Sequence, residues 1–142
     1  MNARIKWLDH MSFVAEAGSG HSLVMDGPPE HGGRNLGPRP MEMILLGLGG
    51  CTAFDVVSIL KKSRVAIDDC EVELHAQRAD EIPAVFTKIH LHYIVKGPKL
   101  QDKHVKRAVD LTAEKYCSVS MMLKNSVELS YDYEIEDTSL LE

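Results

Sequence analysis

The sequence predicts an α+β protein with the element order βββ-α-ββ-α-β. Three observations carry this. Segments of alternating apolar and polar residues stand at both ends and in the middle. A loop rich in glycine and proline precedes a long apolar run. A second stretch, after Gly97-Pro98, repeats its apolar residues at helical spacing.

The opening strands are Ala3–Trp7, Ser12–Ala17 and His21–Met25. Ile5 and Trp7 share one face, and the turn signal Gly18-Ser19-Gly20 joins the second strand to the third. The segment Gly27–Pro40 holds four glycines and four prolines, which forbid helix and ladder alike. Its length marks it as a functional loop or a crossover. A helix is expected from Met41 to about Ser63, with Ile44, Leu45, Leu48, Cys51, Phe54 and Val57 three or four apart. Gly47, Gly49 and Gly50 each cost such a helix about 1 kcal/mol, so close packing against its backbone is expected there. Two strands follow. In the first, Val72, Leu74 and Ala76 face away from Glu71, Glu73, His75 and Gln77. In the second, Val85, Thr87, Ile89, Leu91, Tyr93 and Val95 oppose Phe86, Lys88, His90, His92 and Ile94. Leu100–Tyr116 reads as the second helix and Val127–Ile135 as the last strand. The acidic tail Glu136–Glu142 is expected to fray.

Length and composition set the class. The 142 residues amount to one domain, 1–142. A net charge of −5, with no basic run, argues against nucleic acid as a partner. The uncharged run Met43–Phe54 has 12 residues, where a membrane span needs about 20, so no membrane association is expected. Met1–Glu16 carries charges throughout and has no apolar core of a signal peptide, so a cytoplasmic location is expected. In such a reducing compartment three cysteines are catalytic, metal-binding or inert rather than paired structurally.

Cys51 lies in the apolar helix after Gly49-Gly50, and Cys117 lies at the end of the second helix. Two such thiols can form a redox pair: one attacks a peroxide and becomes a sulfenic acid, and the other condenses with it to a disulfide. An isolated cysteine in an apolar helix is more commonly a small hydrophobe. An active Cys51 needs a cation beside it, and Arg34 and Arg39 in the preceding loop are the candidates. Ser118 can cap a short following helix and so favour a Cys117 thiolate. Cys70, at the start of a strand, reads as structural. His75, His90 and His92 share one sheet face, which is a weaker zinc alternative to an ordinary solvated surface.

At these residues the sequence resembles the osmotically inducible protein C and organic hydroperoxide resistance family. The likeness lies in Gly37-Pro38-Arg39-Pro40-Met41-Glu42-Met43-Ile44-Leu45-Leu46-Gly47-Leu48-Gly49-Gly50-Cys51 and in Ala113-Glu114-Lys115-Tyr116-Cys117-Ser118-Val119-Ser120. It implies an intertwined homodimer with two antiparallel sheets around central helices and active sites at the subunit interface. It also implies a peroxidatic Cys51, a resolving Cys117 and thiol-dependent reduction of organic hydroperoxides, an antioxidant stress-response activity. No metal or flavin cofactor is implied, and small dithiols or lipoylated proteins supply electrons. Met41 stands where the family has its acidic residue. Glu42 follows one position later, about 100° around the helix, which bears on whether it reaches an arginine. Ser118 replaces the proline that follows the resolving cysteine in the family. The rival reading is a non-catalytic protein of the same fold that holds a small apolar ligand in its interface cavity.

Overall fold

Three antiparallel strands open the chain: β1 (Ala3–Asp9), β2 (Ser12–Ala17) and β3 (Ser22–Met25), paired in the order β1-β2-β3. Ile5 lies opposite Ala15, and Phe13 opposite Met25. β1 runs two residues further than the alternation indicates. The Trp7 indole N–H donates to the His10 carbonyl at 2.8 Å across the tight connection to β2 and holds the strand end in place. These strands and the loop after them form one compact unit, 1–46. The remainder, from Gly47 onward, forms a second compact unit. The structure is a computed structural model and describes residues 1–141.

The loop between β3 and the first helix is tied down rather than open. It contains a single 3₁₀ turn, Pro29–His31. A Cβ at Gly33 would lie 1.9 Å from the Gly27 carbonyl oxygen, so only glycine fits there. Helix α1 (Pro40–Lys62) then starts as the sequence indicates, with proline at its first position. Glu42 reaches back to accept the Arg39 backbone N–H at 2.9 Å, one half of a capping box.

In the second unit α1 turns Leu48, Thr52, Val56 and Leu60 inward, each four residues from the last. Thr52 hydrogen-bonds Tyr93 of β5 (Phe86–Gly97), which pairs antiparallel with β4 (Asp69–Arg78). A Cβ on Gly49 would come within 2.9 Å of Leu74 Cδ1, which is the close packing expected of these glycines. Gly47 and Gly50 differ: among the described residues nothing outside their own helix lies within 4 Å of a Cβ at either, so the expectation holds at one position of three. Ile89, Leu91, Tyr93 and Val95 of β5 are buried, as are Val105, Ala108 and Val109 of α2 (Asp102–Leu111). Each of the buried valine, leucine and isoleucine side chains contributes about 1.5–3 kcal/mol by leaving water.

The α+β class and the element order agree with the sequence, and four details differ. The second sheet, ordered β4-β5-β6, is mixed rather than antiparallel, because β6 (Glu128–Asp137) pairs parallel to β5. The helices between these strands make a crossover, and a crossover returns the chain in the same direction. On β5, Phe86 is buried and Val85 exposed, because the ladder shifts register between Gln77 and Arg78. A further short helix, α3 (Ser118–Leu123), follows Cys117. The tail does not fray at Glu136: β6 continues to Asp137, and a 3₁₀ turn, Thr138–Leu141, follows. Asp137 accepts the Lys99 backbone N–H at 3.1 Å, and the Thr138 hydroxyl donates to Asp68 at 2.5 Å. Glu142 lies outside the described residues.

α1 matches the expected helix to within one residue at each end. Its 23 residues continue through Glu42 and Asp55, and by length and composition alone it could cross a membrane. Its outward side leaves Ile44, Leu46 and Phe54 exposed, Phe54 by 74%.

Candidate functional site

Helical periodicity places Cys51 and Asp55, four residues apart, on one side of α1. Cys117 comes to the same place by a different device. The last turn of α2 widens into a π-helical segment, Thr112–Tyr116, and the Cys117 N–H closes it on the Thr112 carbonyl at 2.9 Å. Such turns are uncommon and recur at functional sites. The chain then extends for one residue, Cys117, before α3 begins. Among the described residues, the buried Thr112 hydroxyl has no hydrogen-bond partner.

As a result the two sulfurs and an Asp55 carboxylate oxygen all lie within 4.8 Å of one another. Cys117 is fully buried and Cys51 half-buried. Burial pushes the Cys117 thiol above its ordinary pKa. The Ser120 side chain and backbone N–H oppose that rise, and the neighbouring Cys51 adds to it. Burial likewise raises the Asp55 pKa, and the Lys62 ammonium pulls it back. Thr52, next to Cys51, shares a buried hydrogen bond with the Tyr93 hydroxyl. That phenol is pushed up to about 12, chiefly by burial, and acts here as a neutral strut. A groove of about 450 Å³ opens at Asp55, walled by Ser58, Lys62, Arg107 and Tyr116 among others.

Glu42, Arg39 and Arg34 lie in the first unit. Glu42 does reach an arginine despite its shifted position. Its carboxylate lies 3.8 Å from Arg39 Nη1, which also donates to Asn35 at 2.6 Å. Arg34 is engaged differently, by the Asp9 carboxylate and, at 3.3 Å, by the Ser12 hydroxyl. Its backbone N–H also points at Asp26. Asp26 is 2% exposed and organises the loop. Burial alone would raise its pKa. The Gly27 N–H, the Ser12 hydroxyl and the N–H groups of Leu36 and Arg34 together hold it below the ordinary carboxylate value.

The histidine face forms hydrogen bonds of its own. His90 meets Ser130 at 2.7 Å and Asp132 at 2.8 Å, while His92 meets the same Asp132 oxygen at 2.7 Å. Among the described residues, the three donors that converge as a metal site would require are Cys51, Asp55 and Cys117, not the histidines. Cys70 fits its structural reading, its thiol pushed up to about 11 by burial and by Asp69.

Asp55 was not singled out from the sequence, although its i, i+4 relation to Cys51 was there to read. Asp26 and the π-helical turn left no comparable signal, since both depend on tertiary packing.

Known proteins share this arrangement of elements. The family described as OsmC-like protein matches residues 31–132. Protein YhfA of Escherichia coli strain K12 is 50% identical over 135 residues, covering 95% of this chain and 98% of its own. The crystal structure of a hypothetical protein from Aquifex aeolicus VF5 superposes with a TM-score of 0.79 at 29% identity, covering 96% of this chain and 97% of that one. An organic hydroperoxide resistance protein from Legionella pneumophila shares the fold, with a TM-score of 0.71 at 16% identity over 94% of this chain and 95% of that one. With the family pattern spanning both cysteines and a half-identical relative along almost its whole length, this chain belongs to the OsmC-like protein family.

Proposed function

We propose that the protein is a thiol-dependent peroxide reductase that acts on organic hydroperoxides. The observation that carries this reading is the approach of Cys51 and Cys117 to within 4.8 Å from two separate helices. Burial is consistent with the roles that the resemblance implies. Cys51, the more accessible sulfur, attacks the O–O bond, and Cys117, fully buried, resolves. In the first step the Cys51 thiolate takes one oxygen and becomes a sulfenic acid, while the alkoxide leaves and takes up a proton as the alcohol. In the second the Cys117 thiolate displaces that oxygen as water, and a disulfide forms. A dithiol or lipoylated protein returns two electrons and two protons.

The carboxylate–arginine pair that the family resemblance implies corresponds to Glu42 and Arg39, since Glu42 orients Arg39 at 3.8 Å. We assign Arg39 the supporting role ahead of Arg34, whose guanidinium Asp9 and Ser12 already hold. We further infer a homodimer. Ile5 and Trp7 on β1 are 55% and 61% exposed, and α1 presents Phe54 and the bare backbone of Gly47 and Gly50. Three unpaired cysteines suit the reducing cytoplasm, where we place the protein.

Rapid mixing of the reduced protein with cumene hydroperoxide and with hydrogen peroxide, followed by thiol titration, tests the reading. Two thiols lost per organic peroxide, at a rate well above that for hydrogen peroxide, is the expected result. A rate no better than a free thiol with either oxidant would overturn it. The second reading, a binder of small apolar ligands, is favoured by the apolar groove of about 590 Å³ beside Gly50, Ala53, Phe54 and Val57. Apolar molecules recovered from the purified protein, together with slow thiol oxidation, would establish it instead.

A further inference from the structure

Peroxide chemistry at this site uses two sulfurs and requires no third ligand, yet a third is present. The Asp55 carboxylate oxygen lies within 4.8 Å of both Cys51 Sγ and Cys117 Sγ. The three come from two positions on α1 and one at the end of the π-helical turn. We propose that the reduced protein binds one thiophilic divalent cation of the zinc type through Cys51, Asp55 and Cys117.

The donor chemistry selects the ion. Thiolates favour zinc and its congeners over magnesium or calcium, which prefer a shell of oxygens. Zinc–sulfur bonds of about 2.3 Å in a tetrahedron hold two sulfurs about 3.8 Å apart, so donors already within 4.8 Å need to contract by about 1 Å at most. Three protein ligands leave a fourth position open, the arrangement of an exchangeable site rather than a closed structural one. The groove at Asp55 provides the entry path.

The same electron pairs cannot serve both a metal and a disulfide. Oxidation of the bound thiolates by an organic hydroperoxide forms the Cys51–Cys117 bond and reduces the peroxide to alcohol and water, with two protons drawn from solvent. The cation is then released. Metal binding and the oxidised state are therefore mutually exclusive, and the cation acts as a redox-released ligand, not as a cofactor of peroxide reduction. The inference uses the same thiols as the proposed reductase but does not depend on turnover, so either can fail alone.

Cobalt(II) is a direct probe. Titration into the full-length reduced protein is expected to give one ion per chain, with sulfur-to-cobalt charge-transfer bands and the strong visible bands of a four-coordinate ion. Zinc should displace it. Cys51→Ser and Cys117→Ser should each weaken binding at least about tenfold and reduce the charge-transfer intensity, and Asp55→Asn should weaken binding about tenfold. Cys70→Ser should bind as the wild type does. Oxidation of the wild-type protein to the disulfide should abolish the bands and reduction restore them, an arm that needs no variant to fold. Absence of charge-transfer bands in the reduced protein, or unchanged affinity in folded Asp55→Asn, would overturn the proposal.

Discussion

Asp26 and Asp55 are both carboxylates drawn out of water, and their surroundings differ in kind. Asp26 faces four donors, the Ser12 hydroxyl and the backbone N–H groups of Gly27, Arg34 and Leu36. Every donor is answered, the pKa falls, and the residue fixes a loop that glycines and prolines would otherwise leave loose. Asp55 lies beside two thiols that are themselves acids, and burial raises its pKa against the pull of Lys62. A carboxylate surrounded by donors is architecture. A carboxylate gathered with other ionisable groups is available for protons, electrons or a cation.

The largest effect should come from breaking the second arrangement. Cys51→Ser is expected to lower peroxide turnover by about 10²-fold or more while leaving the melting temperature nearly unchanged. Cys117→Ser should retain one rapid oxidation and then overoxidise, visible as added oxygen by mass spectrometry. Steady turnover persisting in Cys51→Ser would remove the proposed roles.

Breaking the first arrangement should cost stability instead. Asp26→Asn offers an amide to donors that met a carboxylate, and the melting temperature should drop on the order of 5–10 °C. The pH dependence has a definite sign. Because the folded pKa lies below the ordinary 3.8, the stabilisation is full above about pH 4 and is lost as pH falls through the folded value. Thermal melts of wild type and Asp26→Asn should therefore differ most near neutrality and converge in acid. A gap that stays constant down to acid pH would mean that the charge on Asp26 contributes nothing.

The histidine face sits between these two cases. Asp132 hydrogen-bonds both His90 and His92, with Glu134 next along β6 and Glu73 opposite His92 on β4. The bond to Asp132 is the largest cause of the raised His92 pKa. A raised folded value means that the interaction stabilises below the unfolded pKa of 6.5 and fades as pH rises through the folded one. Asp132→Asn should lower the His92 pKa back toward its ordinary value in an NMR titration. An unmoved titration would mean that the aspartate does not set it.

Much of this contrast was legible in the residues, and the illegible part has physical causes. Strand alternation, the glycine–proline loop and the start of α1 at Pro40 follow from local rules, and all appear in the structure. Cys51 and Cys117 stood out as a pair on two helices, but their approach depends on how α1 and the end of α2 pack. The parallel pairing of β6 was hidden because alternation reports which face a residue takes, not which way its strand runs. Glu42 reaches Arg39 because the arginine sits at the helix cap, within reach of any first-turn carboxylate, so one position of slip matters less there than mid-helix. Asp26 gave no signal at all, since a buried aspartate and a surface turn aspartate look alike in a sequence.

The smallest effects belong to the helix glycines, and they separate intrachain packing from association. Gly49 lies against Leu74, and an added methyl would meet a flexible side-chain end at 2.9 Å. The roughly 1 kcal/mol gained in helix propensity is then largely offset by repacking, so Gly49→Ala should shift the melting temperature by only a few degrees in either direction. It should leave association between copies unchanged. At Gly47 and Gly50 no described residue outside the helix meets a new methyl, so each alanine should stabilise the isolated chain by up to about 1 kcal/mol. If the bare backbone there receives a second copy, as proposed, the same methyls hold the two surfaces apart. The dimerisation constant from sedimentation should then weaken severalfold for Gly47→Ala and Gly50→Ala and not for Gly49→Ala. Equal association in all three variants would place the contact elsewhere on the molecule, with the exposed Ile5 and Trp7 of β1 the next face to alter.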